Sequence, residues 1–222
     1  MAYRRTPAIQ ERLQAREAAI IEAATRVFTG EGYHGTTMKA IAREAGVATG
    51  TVYLYFPSKE AIFASLIERL RGMVLEAIVS ARARCSTTLS KLAASIPAAI
   101  QVFAHNRDLA RIVLIQAPGA SPAFEARLAE IHDLFAGFVR QELAEAQGRG
   151  ELPPIDPEVA ARAWVGTFYE VIMTWLRSVE ADRDSNPARL LLQTIPALVK
   201  YNLAAVGAPD HAPRDPAGAA SG

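Results

Sequence analysis

Apolar residues recur at helical spacing along almost the whole chain, and few segments alternate as strands do. This periodicity predicts an all-α fold. In a first helix, Ile20, Ala24, Val27 and Phe28 share a face, and Gly30 and Gly32 end it. A short second helix follows Gly35, with Met38, Ile41, Ala42 and Ala45 on one side, and Gly46 breaks it. A third short helix is expected from Thr49 to Phe56, where Pro57 stops it. Ser58 stands ready to cap a much longer fourth helix over 59–80, whose stripe runs Ile62, Phe63, Leu66, Ile67, Leu70, Met73, Val74, Ala77 and Ile78. Further helices are expected over 87–105, 108–117 and 122–148. Asp156-Pro157-Glu158 offers an N-cap, a first-position proline and an acid in the first turn for a helix over 157–180. Asn186-Pro187 opens the last helix in the same way, and Pro196 is expected to kink it.

The 222 residues are half hydrophobic, enough to bury a sizeable core. A net charge of +1 gives no global pull toward nucleic acid; residues 1–60 are slightly basic and the remainder slightly acidic. Cys85 is the sole cysteine, which excludes an intrachain disulfide and a cysteine metal cluster and fits a reducing compartment. The N-terminal segment has no apolar signal core, and no uncharged apolar run reaches the roughly 18 residues that span a bilayer. A cytoplasmic protein with no membrane partner is expected. His34, His105, His132 and His211 are isolated, and no glycine-rich phosphate loop or nucleophile elbow occurs, so no metal, cofactor or catalysis is expected.

Residues 36–60 combine a short helix, a turn containing Gly46 and a second short helix, the helix-turn-helix pattern. At 100° per residue, Val52 and Phe56 share one face of the third helix and can pack on Ile41 and Val27. The opposite arc holds Gly50, Thr51, Leu54 and Tyr55, with Tyr53 at its edge and no charge at all. Such a face suits a nucleic-acid groove. Glycine removes bulk, hydroxyls bond phosphates or base edges, and apolar groups touch thymine methyls.

The run Gly35-Thr36-Thr37-Met38-Lys39-Ala40-Ile41-Ala42, then Ala45-Gly46-Val47-Ala48-Thr49-Gly50-Thr51-Val52-Tyr53-Leu54-Tyr55-Phe56-Pro57-Ser58-Lys59-Glu60, resembles the DNA-binding signature of the TetR family of transcriptional regulators. The resemblance implies a ligand-responsive repressor that binds a double-stranded, pseudo-palindromic operator as a homodimer. It implies that Thr36 and Thr37 offer groups to phosphate, that Thr49, Gly50, Thr51 and Tyr55 meet the major groove, and that Tyr53 and Lys59 grip the DNA backbone. Ala48 stands where the recognition helix often starts with serine; either a capping bond is missing or Thr49 supplies it one residue later. Arg4 and Arg5 are a phosphate-gripping arm or a frayed terminus.

Residues 1–58 are thus expected to form the DNA-binding domain with its arm, 59–206 a regulatory domain, and 207–222 a disordered tail rich in Ala, Pro and Gly. The helix over 157–180 is apolar nearly all round, and a second apolar helix follows it. By resemblance, these two pair with their copies in a second subunit, with Trp175, Leu191, Ile195 and Leu198 at the seam. Met73, Ile96, Phe103, Leu114, Phe135, Phe138, Trp164 and Phe168 are candidates to line an effector cavity, with Gln116, His132 and Tyr169 as polar anchors; plain core is the alternative role of each apolar one. The effector expected is small and apolar or amphipathic. A fatty acyl-CoA would need cations at the cavity mouth, for which Arg107, Arg111 and Arg127 are available, whereas a cationic drug would need a buried acid such as Glu170. The alternatives are a drug-responsive regulator of an efflux gene and a helical interaction protein that binds no DNA.

Overall fold

The computed structural model describes residues 7–178 and 186–208, with side chains from Gln10 onward. Ten α-helices and one π-helical turn occur among them, and no strand. Arg4, Arg5, residues 179 and 180 of the expected long helix, and the tail from 209 lie outside the described residues.

The chain divides into two compact units, Met1–Val74 with His105–Glu130, and Leu75–Ala104 with Ile131–Gly222. The first contains α1 (Pro7–Gly35), α2 (Met38–Glu44), α3 (Thr49–Tyr55), α6 (Arg107–Arg111) and the π-helical turn Ile112–Gln116, with the opening turns of α4 (Lys59–Arg82) and α7 (Pro122–Gly148). The expected helix over 108–117 is therefore real but changes pitch halfway. Helix α1 is interrupted at Gly32, whose φ of 69° only glycine adopts readily. Ile20, Ala23, Ala24 and Phe28 of α1 are fully buried with Ile41, Val52, Ile62, Phe63 and Leu66. The T-shaped contact of Phe28 and Phe63, centroids 5.1 Å apart, lies at the middle of this core.

Short helices need their ends closed, because their orphan amides and carbonyls are a large share of the whole. The Thr37 hydroxyl accepts from the Ala40 amide to cap α2, and Ser58 does the same for α4 through Ala61. At the far end of α2, Gly46 has a φ of 65°. Its amide donates to Arg43, and the Val47 amide reaches back to Ala42, the paired bonds of a Schellman turn. The chain thereby reverses between α2 and α3 in four residues, Ala45–Ala48, which fixes the angle of α3.

The second unit holds the end of α4, α5 (Thr88–His105), most of α7, α8 (Pro157–Ser178), α9 (Pro187–Leu192) and α10 (Ile195–Ala205). The Asp156 carboxylate accepts from the amides of Glu158 and Val159, and Asn186 accepts from Arg189, so both expected caps are made. The single kinked last helix is instead two. The chain leaves α9 at Gln193, and Pro196 sits in the first turn of α10, where its missing N–H costs nothing. Helix α8 packs on both. The Trp175 indole donates to the Pro187 carbonyl at 2.7 Å. Buried Asn202 donates to the Leu198 carbonyl and receives the Thr167 hydroxyl at 2.9 Å, which ties α10 to α8. Salt bridges Arg82–Glu142 and Arg162–Asp133 tie α7 to α4 and α8.

Gly207 closes α10 with a φ of 72°, and a Cβ there would come 2.6 Å from Pro153 Cγ. Gly207→Ala is therefore expected to destabilise the protein by about 1–3 kcal/mol, through positive-φ strain and overpacking together. Equilibrium urea unfolding checks this, with Gly148→Ala, which meets nothing within 4 Å, as the unstrained control.

Candidate functional site

Helix α3 is seven residues long, carries no charge, and rests on one side chain of its own, Val52, which is fully buried; Phe56 follows at 5% exposure. The opposite side is open. Leu54 is 84% exposed and Tyr53 52%, Gly50 is exposed, and Thr49, Thr51 and Tyr55 are half-buried. None of these side chains is committed to a hydrogen bond or ion pair among the described residues. Ala48 is the N-cap of α3 and supplies no side-chain bond, so of the two expectations for this cap the missing bond is the one found.

Two residues expected at phosphate are positioned otherwise. Thr36 is only 2% exposed, and its hydroxyl donates to the Gly32 carbonyl at 2.7 Å. Buried in this way, with its hydroxyl back-bonded to a carbonyl that also accepts its own amide, it cannot reach a ligand. Thr37 is exposed; its hydroxyl oxygen accepts as the α2 cap, and its O–H stays free to donate. Lys59 donates to the Tyr33 carbonyl at 2.8 Å with its ammonium 4.4 Å from the Tyr33 ring centroid. An ammonium has three N–H donors, so this contact aims Lys59 without exhausting it.

Tyr33 went unnoticed as a sequence feature and organises this edge of the unit. Its phenol donates to Glu60 at 2.9 Å, and its ring meets Phe63 and Phe124 edge-on at 4.9 and 5.7 Å. Burial, the hydrogen bond to Glu60 and the charge of Glu60 push its pKa up to about 12. Glu60 is held low by its own backbone amide, by Ser58 and by Tyr33. The phenol thus remains a donor, and the carboxylate an acceptor, through the neutral range.

Candidate effector residues fall in both units. In the second, Ile96, Phe103 and Trp164 are buried, Phe135 is half-buried, and Phe103 meets Phe168 at 5.7 Å. His132 meets Tyr169 edge-on at 4.7 Å. Phe138 is 45% exposed and is not an internal residue: Ala136 and Leu143 mark the inward face of α7, and two residues from Ala136 is nearly half a turn away. In the first unit, Leu114 is buried and Met73 half-buried. The Gln116 amide nitrogen donates to the Phe28 carbonyl in the last regular turn of α1 at 3.0 Å, while its Oε1 is buried without a partner. Arg127 is engaged by Glu68 and Glu130, both at 2.6 Å. Burial raises the Glu68 pKa, but the hydrogen bonds from Arg127 and Arg71 outweigh it and leave the carboxyl below its usual range. Arg107 keeps a buried Nε with no partner. Glu170 is exposed and accepts from Thr174, so it is no buried acid.

The expected seam residues also need correction. Trp175, Leu191 and Leu198 are 5%, 0% and 6% exposed within one chain, and Ile195 is half-buried. They form the packing of α8, α9 and α10 on one another. Exposed positions include Ala163, Gly166, Glu170 and Thr174 on α8 and Ala197, Tyr201 and Ala204 on α10. An apolar stripe read without its neighbours shows which face is apolar, but not whether the same chain covers it.

Comparison with known proteins agrees with this architecture. Residues 20–66 match the family described as bacterial regulatory proteins, tetR family, and residues 85–178 match the tetracyclin repressor-like C-terminal domain. The chain is 30% identical over 158 residues, 71% of its length and 81% of the other's, to the fatty acid metabolism regulator protein of Bacillus subtilis. It is similar, with a TM-score of 0.69 and 29% identity over 82% of this chain and 97% of that one, to the transcriptional regulator FadR from B. subtilis solved in complex with stearoyl-CoA. The fatty acid degradation regulator FadR from Bacillus halodurans has the same fold, with a TM-score of 0.73, 23% identity, and coverage of 90% and 96%.

Two outcomes follow from the geometry. Ala48→Ser should supply the absent cap and raise stability by about 1 kcal/mol, seen as a higher midpoint in denaturant unfolding. Leu198→Glu should unfold the protein, with loss of helical circular dichroism, where a seam residue would give a folded monomer.

Proposed function

The chain belongs to the TetR family of bacterial regulatory proteins, and on that premise we propose that it is a homodimeric repressor that a long-chain acyl-CoA releases from a pseudo-palindromic operator. The observation that carries the DNA-reading half is the outward face of α3, uncharged and unbonded while Val52 and Phe56 anchor the helix from behind. In this reading Gly50 lets the backbone approach the groove, Thr49, Thr51 and Tyr55 meet base edges, and Tyr53, Lys59 and the exposed Thr37 cap meet the sugar–phosphate backbone. One seven-residue helix touches few bases, so two copies related by a two-fold axis are needed for specificity.

The acyl-CoA half rests on the relatives named for fatty acid regulation and on the one bound to stearoyl-CoA. Apolar and aromatic side chains at Ile96, Phe103, Trp164 and Phe168 suit a fatty chain. The drug-type reading loses its buried acid with the exposure of Glu170. Release requires that the ligand prefer the conformation with wrongly spaced recognition helices. Helix α4 contributes residues to both units, which makes it the natural lever. The dimer seam in this reading uses Ala163 and Gly166 of α8 with Ala197 and Tyr201 of α10, where small residues allow helices to approach closely.

Fluorescence anisotropy on the DNA upstream of the coding region tests the reading. Tyr55→Ala and Thr51→Ala should each weaken specific binding by about 1–3 kcal/mol and leave nonspecific binding unchanged. Lys59→Ala should weaken both and lower the salt slope by about one. Palmitoyl-CoA at micromolar concentration should release the wild-type complex; release by no acyl-CoA of any chain length overturns the effector assignment. Gly166→Arg should sediment as a folded monomer with weakened operator binding, and a monomeric wild type at micromolar concentration overturns the dimer.

A further inference from the structure

Two polar aromatic side chains face each other within the second unit. His132 lies on α7 four residues before buried Ala136, and Tyr169 lies on α8 three residues before buried Ile172, so both share the inward sides of their helices. Their rings meet edge to face, with centroids 4.7 Å apart and planes at 81°. Neither the imidazole nor the phenol is engaged in a hydrogen bond among the described residues. Both groups are half-buried and their donors are uncommitted among the described residues, so a bound acceptor can take them. One position before Tyr169, Phe168 packs against Phe103, an apolar wall next to the polar pair.

The charges nearby define what such a pair accepts. Asp133 follows His132 and is bound by Arg162 at 3.1 Å, and Glu170 follows Tyr169 and accepts from Thr174. Burial pushes the His132 pKa down, against the opposing pull of Asp133, and burial pushes the Tyr169 phenol up, with Arg177 acting against it. Both groups are therefore neutral donors at pH 7, with acids and arginines both nearby. A carbonyl oxygen would meet two donors there.

We propose that His132 and Tyr169 form the polar anchor of the effector site and bind the carbonyl oxygen of an acyl thioester, with the alkyl chain along the Phe103–Phe168 wall. The assignment rests on the acyl-CoA reading of the function. It also separates the recognition of the acyl carbonyl from that of the nucleotide, which needs cations this pair does not offer.

Isothermal titration with two matched probes tests it: palmitoyl-CoA, and S-hexadecyl-CoA, a thioether with the same head and chain but no carbonyl. The wild type should bind palmitoyl-CoA about 10-fold more tightly. Tyr169→Phe and His132→Phe should each lose about 3- to 10-fold for palmitoyl-CoA, as for one neutral hydrogen bond, and keep their affinity for the thioether. Unchanged thermal melting of the two variants establishes that they fold. Equal wild-type affinity for both probes, or an equal loss for both in the variants, overturns the carbonyl anchor while leaving the acyl-CoA reading intact. Failure of the wild type to bind either probe overturns that reading and the anchor with it.

Discussion

The edge contact of Phe28 with Phe63 holds the first unit together. Both rings are fully buried, and each brings a different helix: Phe28 the end of α1, Phe63 the beginning of α4. Phe124 at the start of α7 tilts onto Phe63 at 4.8 Å, and Tyr33 closes the group from the end of α1, just past its break at Gly32. Buried aromatic pairs of this kind add about 0.5–1.5 kcal/mol each beyond the area they hide. The polar rim depends on them. Tyr33 can aim Lys59 and bind Glu60 only because its ring is fixed by Phe63 and Phe124. Truncating Phe63 would therefore release the start of α4 and the lysine it carries together.

Much of this architecture was legible in the sequence because the signals are local. Gly46, Pro57, Ser58, Asp156 and Asn186 act within four residues of themselves, and the turn and the three caps form where the pattern put them. The two faces of α3 were equally legible, since 100° per residue separates Val52 and Phe56 from Gly50 and Leu54 without reference to any other helix.

What escaped the sequence depends on distant partners. The Thr36 hydroxyl has a nearby partner, the Gly32 carbonyl, but its burial depends on the packing around it. Gln116 also gained a structural bond that its own neighbourhood does not signal, because the π-helical turn brings it to Phe28, 88 residues earlier in the chain. Trp175, Leu191 and Leu198 carry the same apolar signature whether a neighbouring helix or a second subunit covers them, and only packing distinguishes the two. Phe138 shows the converse error, in which an aromatic residue was assigned to the interior on chemistry while its helical phase set it outside.

The bare outer side of α3 has a consequence for how such a protein changes over generations. Thr51, Tyr53, Leu54 and Tyr55 hold no salt bridge or hydrogen bond to the rest of the chain, while the helix is fastened from behind by Val52 and Phe56. Substitutions on that surface therefore leave folding nearly untouched. Lineages can drift to new target sequences by altering a handful of codons, without first acquiring compensating mutations in the core. The fold and the address it reads are inherited almost as separate traits.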